Sequence, residues 1–231
     1  MSHPIGISFL LTLTACGGTG PADAGPIDAG PIDAAVDASS GLYAPAGYTV
    51  TPFLSETPVR SFTAAGDVLE PDRDYAAVLD TDAGRMVIDL TEVETPITVN
   101  SFVWLSRHRF FDGIAFHRVI EGFVVQGGDP NTLSSDRSQW GRGGPGYFFD
   151  LEIVASLGFD SAGVVGMANF SSTTNGSQFF ITLAATPQLD GNYTVFARVV
   201  EGSDVLPAIA RGEPPDEPTR ILRAYIVERP R

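Results

Sequence analysis

The chain has 231 residues, with 28 Asp and Glu against 14 Lys and Arg, and a net charge of −14. That acidity argues against a general nucleic-acid binder, which needs a basic surface to displace counterions from phosphate. The single cysteine excludes an internal disulfide scaffold, and no apolar run is long enough to encode an ordinary membrane-spanning helix.

Residues 5 to 14, IGISFLLTLT, are too short to span a bilayer and suit the apolar core of a signal peptide. The run ends in Leu13-Thr14-Ala15-Cys16. This tetrad resembles a bacterial lipobox, in which small residues precede a cysteine that is lipidated and becomes the mature N-terminus. Residues 1–16 are then a lipoprotein-type signal with Cys16 as the lipidation site. The protein is expected in a bacterial cell envelope, lipid-anchored and extracytoplasmic. Gly17 in place of Asp points to the outer membrane where a cell has two. One feature departs from the pattern: Met1 to Pro4 contain no Lys or Arg, although signal peptides begin with positive charge.

Residues 17–41 change character abruptly. They contain an AGPID repeat, no aromatic residue and four Asp. Pro breaks regular structure, Gly raises the entropy of ordering, and too little apolar surface is available to fold, so a disordered tether is expected. Residues 42–73 mix aromatics and β-branched residues with Pro and Gly, and are expected to form an extended arm packed on the domain that follows.

Residues 74–231 read as a β-rich domain. The runs 75–80 and 85–90 flank Asp82-Ala83-Gly84, which is turn chemistry, and predict a hairpin. Thr95-Pro96 opens a helix, with Thr95 as cap and Pro96 at the first helical position. Val99, Phe102, Val103 and Ser106 fall on one face of it, and Arg107, His108 and Arg109 end it. Further strands are expected at 114–119, 123–127, 163–168, 178–183, 194–200 and 220–228, and a second short helix at 203–210. Eight strands and two helices with Gly-rich connections point to a mainly β protein, a closed eight-stranded antiparallel β-barrel capped by two α-helices. An open sandwich is the alternative.

Four segments carry the chemistry: FHRVIEGFVVQGGDP (116–130), GVVGMAN (163–169), TNGSQFFIT (174–182) and LDGNYTVF (189–196). They hold an arginine, amides and large apolar groups. Neither Ser nor Cys is placed to make His117 part of a nucleophilic pair. The three His of the chain do not cluster at metal-ligand spacing. GRGGPG at 141–146 lacks the Gly-Lys-Ser/Thr ending of a phosphate loop. Asp150 and Glu152 read as a solvated strand edge or loop.

In order and spacing these blocks resemble the cyclophilin family of peptidyl-prolyl cis-trans isomerases, over roughly residues 74 to 229. The resemblance implies an eight-stranded barrel with two capping helices, and an activity that turns X–Pro bonds. Such a bond rotates slowly because amide resonance opposes it with a barrier of about 18–20 kcal/mol. No covalent bond is made or cut, so groups that favour a twisted amide suffice.

The resemblance implies Arg118 as the catalytic residue, a fixed cation for the prolyl carbonyl and proline nitrogen. It implies Phe123, Met167, Phe180 and Leu189 as the proline pocket. Gln126, Ala168, Asn169, Gln178, Tyr193 and His117 complete the substrate-binding set, with Asn169 acting largely through its main chain and His117 making a structural hydrogen bond beside the site. No cofactor, metal or ATP is implied. The expected partners are proline-containing segments of unfolded or flexible exported proteins; the membrane is reached only through the lipid, nucleic acid is not a partner, and the protein is expected to be a monomer. A non-catalytic proline-peptide binding module and a holdase-type chaperone are the alternatives.

The chain departs from the family pattern at four places. Gln188 stands where the cyclosporin-binding member has Trp, so weak cyclosporin binding is expected. Tyr193 stands where many relatives have His. Phe170-Ser171-Ser172 replaces Ala-Gly-Pro, and Arg142 replaces a small Thr in the Gly-rich loop; both bear on the pocket that reads residues before proline.

Overall fold

The computed structural model describes residues 35–36, 41–171 and 174–231, with side chains for all of these but 35, 36, 170 and 171. The expected signal, Cys16 and most of the expected tether lie outside the described residues. Inside the tether range, β1 (Ala35–Val36) pairs antiparallel with β2 (Tyr43–Ala44).

The main sheet is antiparallel throughout. Its strands are β3 (Thr49–Val50), β4 (Arg73–Thr81), β5 (Gly84–Leu90), β6 (Arg118–Ile120), β7 (Val124–Gly127), β8 (Phe149–Asp150), β9 (Val164–Ser171), β10 (Thr174–Thr182), β11 (Val195–Glu201) and β12 (Ile221–Pro230). Their spatial order is β3-β12-β4-β5-β11-β9-β10-β7-β6, with β8 paired to β10 off this path. The sheet therefore has ten strands rather than the expected eight. The two additions are β3, which extends the edge of β12, and the two-residue β8.

The ladder is also not closed as expected. At the seam, isolated bridges join Ala115 to Arg220 and Val119 to Gly212. The loop from Gly212 to Arg220 occupies that gap and breaks the continuity of strand pairing.

The predicted hairpin is β4–β5, and its two-residue turn is closed by Thr81, whose hydroxyl bonds Gly84 O at 2.7 Å. Alternation directs one face of the sheet inward. Leu79, Ile88, Phe179, Phe196 and Ile226 meet there in one core.

Helix α1 (Pro96–Arg107) covers that core, and its expected apolar face is buried. Phe102 anchors it, stacking on Phe111 at 5.0 Å and meeting Phe179 edge-on at 5.7 Å. The expected second α-helix is a 3-10 helix over Ser203–Ala208, with Pro207 inside it. Proline lacks an N–H and crowds the preceding turn, which favours the tighter, shorter form.

Both ends of α1 are finished by distant residues. Thr95 makes no capping bond; its hydroxyl turns back to Thr91, with 2.8 Å between the two hydroxyl oxygens. The carboxylate of Glu152 takes the role, accepting from Ile97 N at 3.1 Å, Thr98 N at 2.7 Å and the Thr98 hydroxyl at 2.7 Å. Glu152 is thus an N-terminal cap with the favourable charge for the helix dipole, not a solvated loop residue.

At the other end, the arm closes the carbonyls. Leu54 N donates to Arg107 O at 2.8 Å and Val59 N to His108 O at 3.1 Å. The Arg60 guanidinium donates to the carbonyls of Arg109, Phe110 and Asp112.

Replacing Glu152 with Ala strands two N–H groups at the start of α1. The expected loss is about 1–2 kcal/mol, read from the midpoint of urea unfolding. An unchanged midpoint would mean that water replaces the carboxylate without loss.

Candidate functional site

β7, β9 and β10 lie side by side, and each presents alternate residues to the core and to the outer face. Cross-strand register sorts them. Phe179 opposes Met167, and both are buried in the core. Phe180 opposes Gln126, and both line an outer cavity of about 370 Å³. That cavity is completed by Arg118, Phe123, Val124, Ala168, Asn169, Leu189 and Tyr193.

Seven of the expected binding residues thus converge with Arg118. Three others, Met167, His117 and Gln178, do not line the cavity, and Gln178 lines an adjoining one. Met167 is 2% exposed and faces the core. Val124 supplies the aliphatic wall instead, two residues from Gln126 on the same face of β7. The period of two along FVVQ was the signal that identifies Val124.

His117 is also buried and lies outside the lining. Its N–H joins the main chain of Gln126 at 3.0 Å. The expected structural bond from its ring is not made at Nδ1, which has no partner among the described residues. Burial, opposed by Asp129 and assisted by Arg118, lowers the His117 pKa and favours a neutral ring.

The apolar floor is built from rings. Phe180 stacks on Phe159 at 5.3 Å and meets Tyr193 at 90° and 5.5 Å. Gly166 makes room for this: a Cβ there would lie 2.7 Å from both Phe159 and Phe180. Leu189 reaches the rim from a one-turn 3-10 helix, Pro187–Leu189, whose neighbouring Gln188 is exposed.

The polar edge is an ordered chain. Gln178 Nε2 donates to Gly143 O at 2.9 Å, and Gln178 Oε1 accepts from Gln126 Nε2 at 3.1 Å. With its amide N–H directed to Gln178, Gln126 presents its carbonyl oxygen as an acceptor for a peptide N–H. Asn169 Nδ2 is engaged by Asn192 O at 2.9 Å.

A second cavity, of about 420 Å³, adjoins the first through Gln126, Ala168 and Asn169. Its far wall is the Gly-rich loop, including Arg142, and Gln178. The side chain of Phe170, and with it the expected narrowing by that residue, lies outside what the structure describes.

The loop is hung from β7 by Asp129, which is fully buried. Its carboxylate accepts from Asn131 N at 2.8 Å and from Gly141 N. The preceding Gly128 has φ +84°, and a Cβ there would lie 2.2 Å from Ser177 O. The Gly-Gly-Asp of the first motif is therefore a tight backbone crossing followed by a loop anchor.

Arg118 stands at the opposite rim. Its guanidinium carbon is 5.9 Å from the centre of the Phe123 ring, and its Nε is 3.1 Å from the Glu213 carboxylate. The site thus offers one fixed cation, a ring-lined apolar pocket and an amide acceptor within a single groove. Among the described residues, no group of three or more His, Cys, Asp or Glu is placed to hold a metal ion.

Residues 76–226 match the family described as cyclophilin type peptidyl-prolyl cis-trans isomerase/CLD. The chain is 42% identical over 154 residues to the peptidyl-prolyl cis-trans isomerase ppi1 of Schizosaccharomyces pombe, covering 63% of this chain and 95% of that one. It is 37% identical over 167 residues to peptidyl-prolyl cis-trans isomerase-like 1 of Mus musculus, covering 69% and 95%. A crystal structure of a cyclophilin type isomerase from Cryptosporidium parvum superposes with a TM-score of 0.60 at 30% identity, covering 66% of this chain and 97% of that one. A second structure of that protein, determined in the presence of the dipeptide Ala-Pro, gives 0.59 at 32% identity, covering 65% and 98%. By this family match, and by a groove that gathers its arginine, rings and amides, the chain belongs to the cyclophilin-type peptidyl-prolyl cis-trans isomerases.

Proposed function

We propose that the protein accelerates X–Pro rotation in exported or envelope proteins, without covalent chemistry. Arg118 supplies the electrostatic stabilisation, and the proline ring is seated on Phe123, Val124, Phe180 and Leu189. The observation that carries this is the placement of Arg118 at the rim of the ring-lined cavity, paired across β6 and β7 with Gln126.

As the amide twists, its resonance is lost and the proline nitrogen becomes more basic. A guanidinium held beside the prolyl carbonyl and nitrogen favours that state over the planar one, which is the condition for catalysis. Gln126 holds the adjoining peptide group so that one side turns while the other stays fixed. Asn169, its side chain tied to Asn192, contributes through its main chain.

The full chain reaches its substrates as a lipid-anchored, extracytoplasmic monomer. Support comes from the Leu13-Thr14-Ala15-Cys16 tetrad after an apolar run. Fractionation of an expressing bacterium tests this. Wild type is expected in the membrane fraction and Cys16→Ser in the soluble one; equal partition of both would remove the anchor.

Activity is tested by exchange NMR on a short X–Pro peptide with the full chain. Arg118→Ala is expected to lower kcat/KM about a hundredfold while the fold is retained. An inert wild type that still binds the peptide would leave a binding module.

Cyclosporin titration gives an independent check. The exposed Gln188 offers no indole donor or face, so inhibition is expected to be weak, and nanomolar inhibition would contradict it.

A further inference from the structure

Arg118 has a neighbour that belongs to none of the four motif blocks. Glu213 lies in the loop between the 3-10 helix at Ser203–Ala208 and β12, and its carboxylate meets Arg118 Nε at 3.1 Å. The loop that carries it is held on two sides. Val119 N donates to Gly212 O at 2.8 Å, and Gly212 N donates back to Val119 O at 3.0 Å, one residue from both partners of the pair. Arg137 then donates to Pro215 O at 3.0 Å and to Asp216 O at 2.6 Å. Glu213 is thus positioned by backbone bonds, not left on a loose tip.

The pair itself is open to water, with Arg118 at 38% and Glu213 at 51% side-chain exposure. An exposed pair of this kind contributes little to stability. Its effect is local: a carboxylate sits at the rim of the catalytic cavity, at the end where Arg118 waits.

The direction of a bound peptide follows from the proposed role of Arg118. If the prolyl carbonyl points to the guanidinium, the chain after proline leaves the cavity past Arg118 and the 212–216 loop. The chain before proline runs the other way, to the cavity walled by the Gly-rich loop.

Resting on that role for Arg118, we infer that Glu213 is a specificity-determining residue that favours a basic and disfavours an acidic side chain directly after proline. A Lys or Arg there gains a carboxylate partner. An Asp or Glu there meets like charge and competes with Glu213 for Arg118.

The test uses the full chain and three peptides that differ only in the residue after proline: Lys, Gln or Glu. Exchange NMR gives kcat/KM, and chemical-shift titration gives Kd for the same peptides. Each charge contact is expected to contribute about threefold, so wild type should prefer Lys over Glu by about tenfold at low salt. The preference should fall toward one in Glu213→Gln, invert in Glu213→Lys, and shrink in about 0.5 M salt, where the Debye length is only a few ångströms.

A Lys-to-Glu ratio unchanged in Glu213→Gln would overturn the inference. So would an equal change for all three peptides, which would make Glu213 a uniform suppressor of Arg118. If wild type binds the peptides without turning them over, the catalytic reading fails, and the ratios of Kd still decide for or against Glu213.

Discussion

The register between β7, β10 and β9 is the constraint on which the site depends. Pairing Phe180 with Gln126 also pairs Phe179 with Gly127, while across the other edge Phe179 meets Met167. One set of alternate residues fills the core and the other set makes the groove. A slip of one residue would exchange them, burying the amides and exposing the rings. The core therefore does more than stabilise the sheet. Phe179, locked edge-on against Phe102 and Phe111, fixes which way Gln178 and Phe180 must face.

Around that register the polar groups form a continuous support. Asp129 fastens the Gly-rich loop to the end of β7, and Gly143 of that loop accepts from Gln178, which in turn orients Gln126. A fully buried carboxylate is tolerated because main-chain N–H groups satisfy it, so it holds the loop without exposing charge to the groove. At the rim of the ring-lined cavity, Arg118 and Glu213 face water. Apolar seat, neutral amide edge and charged rim are thus set side by side, which suits a reaction that depends on placement rather than on proton transfer.

Much of this was legible in the sequence because the motif blocks are short strands, and strands encode facing by simple alternation. Arg118, Phe123, Gln126, Phe180 and Leu189 reach the groove as the motifs imply. Met167 did not, because the alternation set by Phe179 turns it inward, and Val124 takes the wall. What the sequence could not disclose are contacts that depend on loops meeting. Glu152 caps a helix 54 residues away, while the Thr95-Pro96 signal offered a plausible local cap that the structure does not use. Glu213 sits among Pro and Asp in an unremarkable acidic stretch, and only the fold brings it to Arg118. Strand number and closure were obscured for a related reason: two-residue strands and isolated bridges leave almost no periodic trace.

The arm has a consequence for where one unit ends and another begins. The family match starts at residue 76, yet the carbonyls at the end of α1 are satisfied by Leu54, Val59 and Arg60, and Phe62 packs on Trp104 and His108. Val50 continues the sheet beyond β12. The family match and the packed unit are therefore different lengths of chain. A fragment cut at the family limits would keep every groove residue and lose the brace behind the helix that packs on β10 and β12.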